Sequence, residues 1–162
     1  MLIYCERCMR INFLAAAYYV LMTMAQPVMA EVRDIDNDSL RDLRARGTPM
    51  IDVRTPQEWF NTGIIADSML LTFFDEQGNY DIERWLHDLG DHIDYMQPFV
   101  LICDVGVRTE AISRVLGNQL KLPVVYNLKD GIQSWIQKGF ETVPPPYLMR
   151  IPDRKEEKIN DH

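Results

Sequence analysis

The sequence predicts an α/β domain in which a mostly parallel β-sheet is covered by helices. Short apolar runs of strand length alternate along the chain with amphipathic segments of helical period, and this alternation is typical of parallel strands joined by crossover helices. The chain has 162 residues, of which 47% are apolar and 25% are charged, and its sequence shows no internal repeat and no Gly/Ser-rich linker. One globular domain of ordinary size therefore accounts for most of the chain.

Four mainly apolar runs are the predicted strands. Two of them, at 50–53 and 99–103, are short and dense in aliphatic residues, which favours burial on both faces of a sheet. The other two, at 68–74 and 123–128, have the same length range. A helical signal follows within a few residues of each run except the one at 68–74. Such alternation is what a parallel sheet requires.

Five segments are the predicted helices. The first has Asp38 or Ser39 as its cap and ends at Gly47. The second opens at Thr55, with Glu58 three positions later as in a capping box. The remaining three show apolar residues at helical spacing. In chain order the five segments are 34–47, 55–60, 81–93, 108–120 and 131–140.

The N-terminus has the order of a secretory signal. Two arginines precede the apolar run at 11–25, and small residues then lead to Ala30. The run is shorter than the roughly 20 residues that a membrane span needs. We therefore expect a signal peptide at 1–30, cleaved after Ala30, and a periplasmic or secreted protein. The alternative is an uncleaved anchor, the one membrane association that the sequence suggests, and either Met1 or Met9 can serve as the start.

The expected mature chain consists of a folded domain at 31–147 and a charged C-terminal tail at 148–162. The full chain has 17 Lys and Arg against 24 Asp and Glu, a formal charge of -7. An acidic chain without a basic block argues against nucleic acid as its main partner. Its histidines do not stand at metal-ligand spacing from one another or from a cysteine, so no metal site is predicted.

Cys103 is the one cysteine that would remain after cleavage, at the junction between a predicted strand and a predicted helix. In such sheets, ligands bind where strands end and helices begin. Gly106 permits a sharp bend, loop amides before a helix can hold an anion, and the helix N-terminus favours a thiolate over a thiol. Arg108 adds a positive charge. The same spacing also fits a buried structural thiol, since free cysteines are among the most buried residues.

Three segments of the chain resemble the rhodanese-like sulfurtransferase family. They are "MIDVRTPQEWFNTGII", "VLICDVGVRTEAISRVL" and "VYNLKDGIQSWIQKGF", which are similar in the same order to the family's early motif, its active-site loop and its late motif. The resemblance spans roughly 35–143. It implies a rhodanese-like fold with a five-stranded, mostly parallel sheet flanked by helices.

The resemblance also implies the chemistry. Cys103 would accept a sulfane sulfur from a small sulfur-containing anion such as thiosulfate, hold it as a persulfide, and pass it to cyanide, a thiol or an acceptor protein, without a cofactor. Asp52 and Arg54 would be structural, and Glu58 is a candidate for the same ion-pair network. The expected substrate-binding loop comprises the five residues after the cysteine, Asp104, Val105, Gly106, Val107 and Arg108, with the amides of the last four cradling the sulfur.

The chain departs from the family pattern in ways that bear on activity. Asp104 stands where a basic or neutral residue is common, and an acidic side chain there would repel thiosulfate. The early "GHI" is Gly63-Ile64-Ile65, and the late "GG" is Asp130-Gly131. Two alternatives therefore accompany sulfur transfer. One is a thiol phosphatase or arsenate reductase, which the six-residue loop disfavours; the other is a non-catalytic sulfur-carrier or binding module.

Overall fold

A computed structural model of the chain describes residues 31–122 and 124–146. Its centre is a five-stranded sheet in the order β1-β5-β4-β2-β3, with every neighbouring pair parallel. The predicted α/β class is thus confirmed. The strands are β1 (Glu31–Ile35), β2 (Met50–Asp52), β3 (Met69–Leu70), β4 (Phe99–Ile102) and β5 (Val124–Leu128).

Among the described residues, four helices connect the strands and a fifth follows β5, and each overlaps a predicted segment. They are α1 (Asn37–Ala45), α2 (Pro56–Thr62), α3 (Ile82–Gly90), α4 (Val107–Arg114) and α5 (Gly131–Gln137). The predicted segment 34–47 began too early, because residues 34 and 35 belong to β1. The capping box at the start of α2 is present as predicted. The predicted cap of α1 was wrong, because Asp36 rather than Asp38 or Ser39 caps the helix and accepts a hydrogen bond from the backbone of Ser39 at 2.9 Å. None of the described helices is long and apolar enough to cross a membrane.

The sequence pattern missed strand β1. Its five residues include three charged ones, because β1 lies at the edge of the sheet and pairs on one side alone, with β5. The chain approaches it closely at Gly117, where an added Cβ would lie 2.8 Å from a methyl group of Val32. Gly117 belongs to a π-helical turn, Val115–Gln119, that continues α4.

Strand β4 is buried on both faces of the sheet. Its alternate residues point to opposite sides, so Phe99 and Leu101 enter one apolar cluster while Val100 and Ile102 enter the other. All four side chains are fully buried. The strand therefore delivers the next residue, Cys103, to a fixed place at the carboxyl edge of the sheet.

The expected signal peptide at 1–30 and the tail at 148–162 lie outside the described residues. The cleavage site and the domain limits therefore stay predictions.

Candidate active site

Cys103 follows β4 directly and has no exposed surface. The strand ends one residue earlier than predicted, and α4 begins at Val107, one residue before the predicted segment 108–120. Since β4 lies between β5 and β2, the loop from Cys103 to Val107 is flanked by the segments that follow those two strands. This is the edge at which parallel sheets bind their ligands.

Gly106 gives the loop its shape. Its backbone has φ +84, in the left-handed region, and it caps α4 without a side chain. An added Cβ would lie 1.7 Å from the carbonyl oxygen of Lys129, so no larger residue fits. The Gly106 N–H donates a hydrogen bond to Cys103 Sγ at 3.1 Å, which places one of the expected cradle amides on the sulfur itself.

The loop also rests on the first turn of α5. The carbonyl oxygen of Cys103 accepts from the backbone of Ile132 at 2.8 Å, and that of Asp104 accepts from the backbone of Gln133 at 3.0 Å. Gly131 allows this contact, because a Cβ there would lie 2.3 Å from the carbonyl oxygen of Asp104. The second glycine of the late motif is thus required for packing, whereas its first position tolerates Asp130.

The side chain of Asp104 is turned toward α5. Its Oδ1 accepts a hydrogen bond from Gln133 Nε2 at 2.8 Å, and the residue is half-buried. The amide partner fixes the position of the carboxylate but leaves its negative charge in the loop. Asp104 therefore lies one residue from the thiol as an acidic neighbour.

Arg108 is paired with Glu58 of α2. Its Nη1 donates to Oε2 at 3.0 Å, and its Nη2 donates to Oε1. Partial burial by itself raises the pKa of the Glu58 carboxyl, but the hydrogen bonds from Arg108 and from Thr55 outweigh it and bring it to about 2. The pairing with Glu58 also raises the pKa of Arg108. Glu58 therefore holds Arg108 and the cap of α2. The sequence had suggested that Glu58 joins the ion pair of Asp52 and Arg54, but its carboxylate binds Arg108 and Thr55 instead.

Asp52 and Arg54 form a separate ion pair with no exposed surface. Arg54 Nη2 lies 2.7 Å from Asp52 Oδ2 and also donates to the carbonyl oxygen of Gly63 at 2.8 Å. Its Nη1 donates to Thr62 Oγ1 at 2.6 Å. The pair thus joins the end of β2 to the end of α2. Helix α2 also carries Glu58, which binds Arg108 after the loop.

Sequence reasoning missed a buried polar chain behind the sulfur. Thr109 Oγ1 lies 3.3 Å from Cys103 Sγ and 2.6 Å from Asn127 Oδ1, and Asn127 Nδ2 lies 2.8 Å from Asp34 Oδ1. Nothing in the sequence marked Asp34, since the strand that carries it was not predicted. This series of polar contacts runs from an exposed residue of the edge strand to the buried thiol.

This arrangement suits a thiol nucleophile that acts on an anion. The first amides of α4 have no acceptor within the helix and no capping side chain, and such amides bind negative charge. Val105 and Val107 are 52% and 67% exposed and form the outer face of the loop. Within residues 31–122 and 124–146, no three His, Cys, Asp or Glu side chains gather in a group that would hold a metal ion.

Comparisons with known proteins find a named sulfurtransferase and solved structures that this chain resembles. The chain is 29% identical over 107 residues to the thiosulfate sulfurtransferase GlpE of Ectopseudomonas mendocina, covering 66% of this chain and 87% of that protein. It matches the crystal structure of a rhodanese-related protein from Thermoplasma volcanium with a TM-score of 0.51 and 27% identity, over 70% of this chain and 99% of that one. It also shares the fold of Rv0390 from M. tuberculosis, with a TM-score of 0.50 and 22% identity, over 62% and 79% of the two chains.

The sequence model of the rhodanese-like domain matches residues 36–138, which include every strand after β1 and every helix. The loop from Cys103 to Val107 and its flanking segments all lie within the match. The chain therefore belongs to the rhodanese-like domain family.

Proposed function

We propose that this protein is a sulfurtransferase that carries a sulfane sulfur as a persulfide on Cys103. The observation that carries the proposal is the contact of Gly106 N–H with Cys103 Sγ at 3.1 Å, at the foot of a loop whose next amides open a helix. Backbone donors fixed in this way stabilise the thiolate nucleophile and the negative charge of the transferred group.

The reaction has two steps. The Cys103 thiolate attacks the outer sulfur of thiosulfate, and the S–S bond of thiosulfate breaks with its electron pair leaving on sulfite. A persulfide anion then remains on Cys103. In the second step an acceptor, cyanide or a thiolate, attacks the terminal sulfur, the persulfide bond breaks, and the Cys103 thiolate is restored. Neither step requires a metal or an external electron donor.

The described charges favour donors less negative than thiosulfate. Arg108 is engaged by Glu58, and Asp104 keeps a carboxylate in the loop. Val105 and Val107 offer an apolar rim. We therefore expect an organic persulfide to load Cys103 faster than thiosulfate does, and we expect the acceptor to be a thiol, free or on a protein.

The intact mass of the protein after exposure to a sulfur donor tests the proposal. We expect a gain of one sulfur atom that cyanide removes and that Cys103→Ser abolishes. The matched control is the double variant Cys5→Ser/Cys8→Ser, which loses two thiols outside the described residues and should still gain the sulfur. No added sulfur with either thiosulfate or an organic persulfide would refute the mechanism.

A second candidate is a carrier module that is loaded once and does not turn over. Asp104 favours it, because the hydrogen bond from Gln133 fixes an acidic group beside the thiol. Steady-state release of product from excess donor and acceptor separates the two candidates. Repeated turnover identifies an enzyme, whereas a single equivalent of transferred sulfur per chain identifies a carrier.

The proposed site of action is outside the cytoplasm, as the signal-like N-terminal sequence suggests. The expected mature protein begins at Glu31. N-terminal sequencing of protein recovered from the periplasm or the medium would show that residue first, and an intact N-terminus would contradict cleavage.

A further inference from the structure

We propose that Asp34 is a positioning residue for Cys103, acting through Asn127 and Thr109. Through this chain the carboxylate holds the Thr109 hydroxyl in the orientation that accepts a hydrogen bond from the Cys103 thiol and does not donate one to a thiolate. The proposal deepens the proposed function, because it concerns the same thiol.

The series of polar contacts from Asp34 to Cys103 is continuous from the surface to the sulfur. Cys103 and Thr109 have no exposed surface, and Asn127 is 2% exposed, whereas Asp34 lies in the exposed edge strand. The three contacts measure 3.3 Å from sulfur to hydroxyl, 2.6 Å from hydroxyl to amide oxygen and 2.8 Å from amide nitrogen to carboxylate. Buried polar groups are arranged by their partners because an unpaired one is destabilising.

The carboxylate sets the direction of every bond in the chain. An ionised carboxylate accepts hydrogen bonds and donates none, so the Asn127 amide turns its nitrogen to Asp34 and its oxygen to Thr109. The Thr109 hydroxyl has a single proton. Its neighbours Asn127 Oδ1, at 2.6 Å, and the carbonyl oxygen of Gly106, at 3.0 Å, are both acceptors and compete for that proton. The bond between sulfur and hydroxyl therefore has the thiol as donor.

This orientation stabilises the neutral thiol. When Cys103 loses its proton, the lone pairs of Thr109 would face a thiolate at 3.3 Å until the hydroxyl turns away from Asn127. The contacts from Asp34 through Asn127 and Thr109 thus favour the thiol. The Gly106 N–H and the start of α4 have the opposite effect and favour the thiolate. If Asp34 loses its charge, the Asn127 amide can turn over and donate to the Thr109 oxygen. The Gly106 carbonyl oxygen is then the one competitor of the sulfur, among the partners named above, for the hydroxyl proton.

Other charged groups also lie around the loop, and none of those named here forms a hydrogen bond or ion pair with Asp34. One belongs to the loop and one to the first turn of α4, and the others come from α2, the end of β2, and the turn between β5 and α5. They are Asp104, Arg108, Glu58, Asp52, Arg54, Lys129 and Asp130.

The test is the pH dependence of thiolate absorbance in the ultraviolet, in full-length protein carrying Cys5→Ser and Cys8→Ser so that Cys103 is the single thiol. The same protein with Cys103→Ser is the blank. Asp34→Asn should lower the pH midpoint of thiolate formation by about one unit, which is about a tenfold larger thiolate fraction below the midpoint. Asp38→Asn, the same change at an exposed residue of α1, should leave the midpoint unchanged.

Variants of Thr109 test the sign of the effect. Thr109→Val removes the acceptor and should also lower the midpoint, whereas Thr109→Ser keeps the hydroxyl and should match the parent protein. An unchanged midpoint in Asp34→Asn, or a higher midpoint in Thr109→Val, would overturn the proposal. Circular dichroism checks that each variant is folded; if Thr109→Val is not, Asp34→Asn decides alone. Because no sulfur donor is present, the result does not depend on whether the protein transfers sulfur.

Discussion

Replacing Arg54 by methionine removes one partner of the buried ion pair and leaves the other charged. Asp52 and Arg54 have no exposed surface, and Arg54 donates side-chain hydrogen bonds to both Asp52 oxygens, to Thr62 and to the carbonyl oxygen of Gly63. Methionine fills most of the space of the arginine stem but donates none of these bonds. The Asp52 carboxylate then keeps the backbone N–H of residue 54, at 3.1 Å, as the remaining partner from that residue.

The expected loss of stability is large. Breaking a buried pair by removing one partner costs about 3–5 kcal/mol, and the retained backbone bond to Asp52 places this case near the lower end, at about 3 kcal/mol. For a domain of this size, a change of 1 kcal/mol moves the thermal midpoint by about 4 °C. We therefore expect Arg54→Met to unfold about 12 °C below the parent protein.

Thermal unfolding followed by circular dichroism measures the effect. The matched control is Arg44→Met, since Arg44 pairs with Asp67 at 2.8 Å but the two side chains are 37% and 78% exposed; it should cost no more than about 1 kcal/mol. Adding Asp52→Leu to Arg54→Met removes the unpaired charge and should recover much of the loss. A midpoint for Arg54→Met within about 4 °C of the parent would refute the assignment of a buried, uncompensated charge.

Three further changes concern the loop. Glu58→Gln should destabilise the protein at neutral pH, and the difference in stability from the parent should fade as the pH falls from 4.5 toward 2. The reason is that the Glu58 carboxylate, whose pKa is lowered in the fold, stabilises the fold only while it is ionised. Unfolding measured at several pH values tests this. Gly106→Ala should cost about 3 kcal/mol and abolish persulfide formation, since its Cβ would meet the carbonyl oxygen of Lys129. Asp104→Asn should speed loading by thiosulfate about fivefold, the effect of roughly 1 kcal/mol of repulsion, in a stopped-flow assay.

Each of these changes has a control in the same chain. Glu110→Gln removes a carboxylate from an exposed pair with Arg114 and should show no comparable loss. Gly78→Ala has the same positive φ as Gly106 but open space around it, so it isolates backbone strain from steric clash. Asp130→Asn removes an exposed charge near the loop whose side chain makes no capping hydrogen bond to α5. A pH-independent Glu58→Gln effect, equal effects of the two alanine variants, or slower loading of Asp104→Asn would contradict the respective arguments.

The sequence allowed prediction of elements that depend on local pattern. The run before Cys103 is apolar enough to fix a central strand, Gly106 marks the bend, and the residues after it have helical spacing. The capping box of Thr55 and Glu58 was readable for the same reason, since both partners lie within one turn. Strand β1 was not, because its charged residues carry neither the apolar run of a central strand nor a turn signal.

The partners of the loop could not be read from the sequence, because they depend on the tertiary fold. Glu58 lies 50 positions from Arg108, and Asp34 lies 93 positions from Asn127. Capping chemistry explains why Glu58 accepts from Thr55 but does not reveal that a second face of the carboxylate meets an arginine on another helix. The parallel order β1-β5-β4 is what aligns Asp34, Asn127 and the end of β4 along one edge.

The side chains that determine the charge of the site are already engaged by other parts of the protein. Glu58 binds the guanidinium of Arg108, Gln133 binds the carboxylate of Asp104, and both side chains are held from outside the loop. What the loop presents to a donor is then the amides at the start of α4, together with the exposed valines. Amides bind the single negative charge of a persulfide as well as that of a dianion, but they do not offset the repulsion of Asp104, which acts on each unit of charge. On the proposed function, we therefore expect the loop to select among sulfur donors by their charge, with the carboxylate one residue after the thiol as the group that makes this selection.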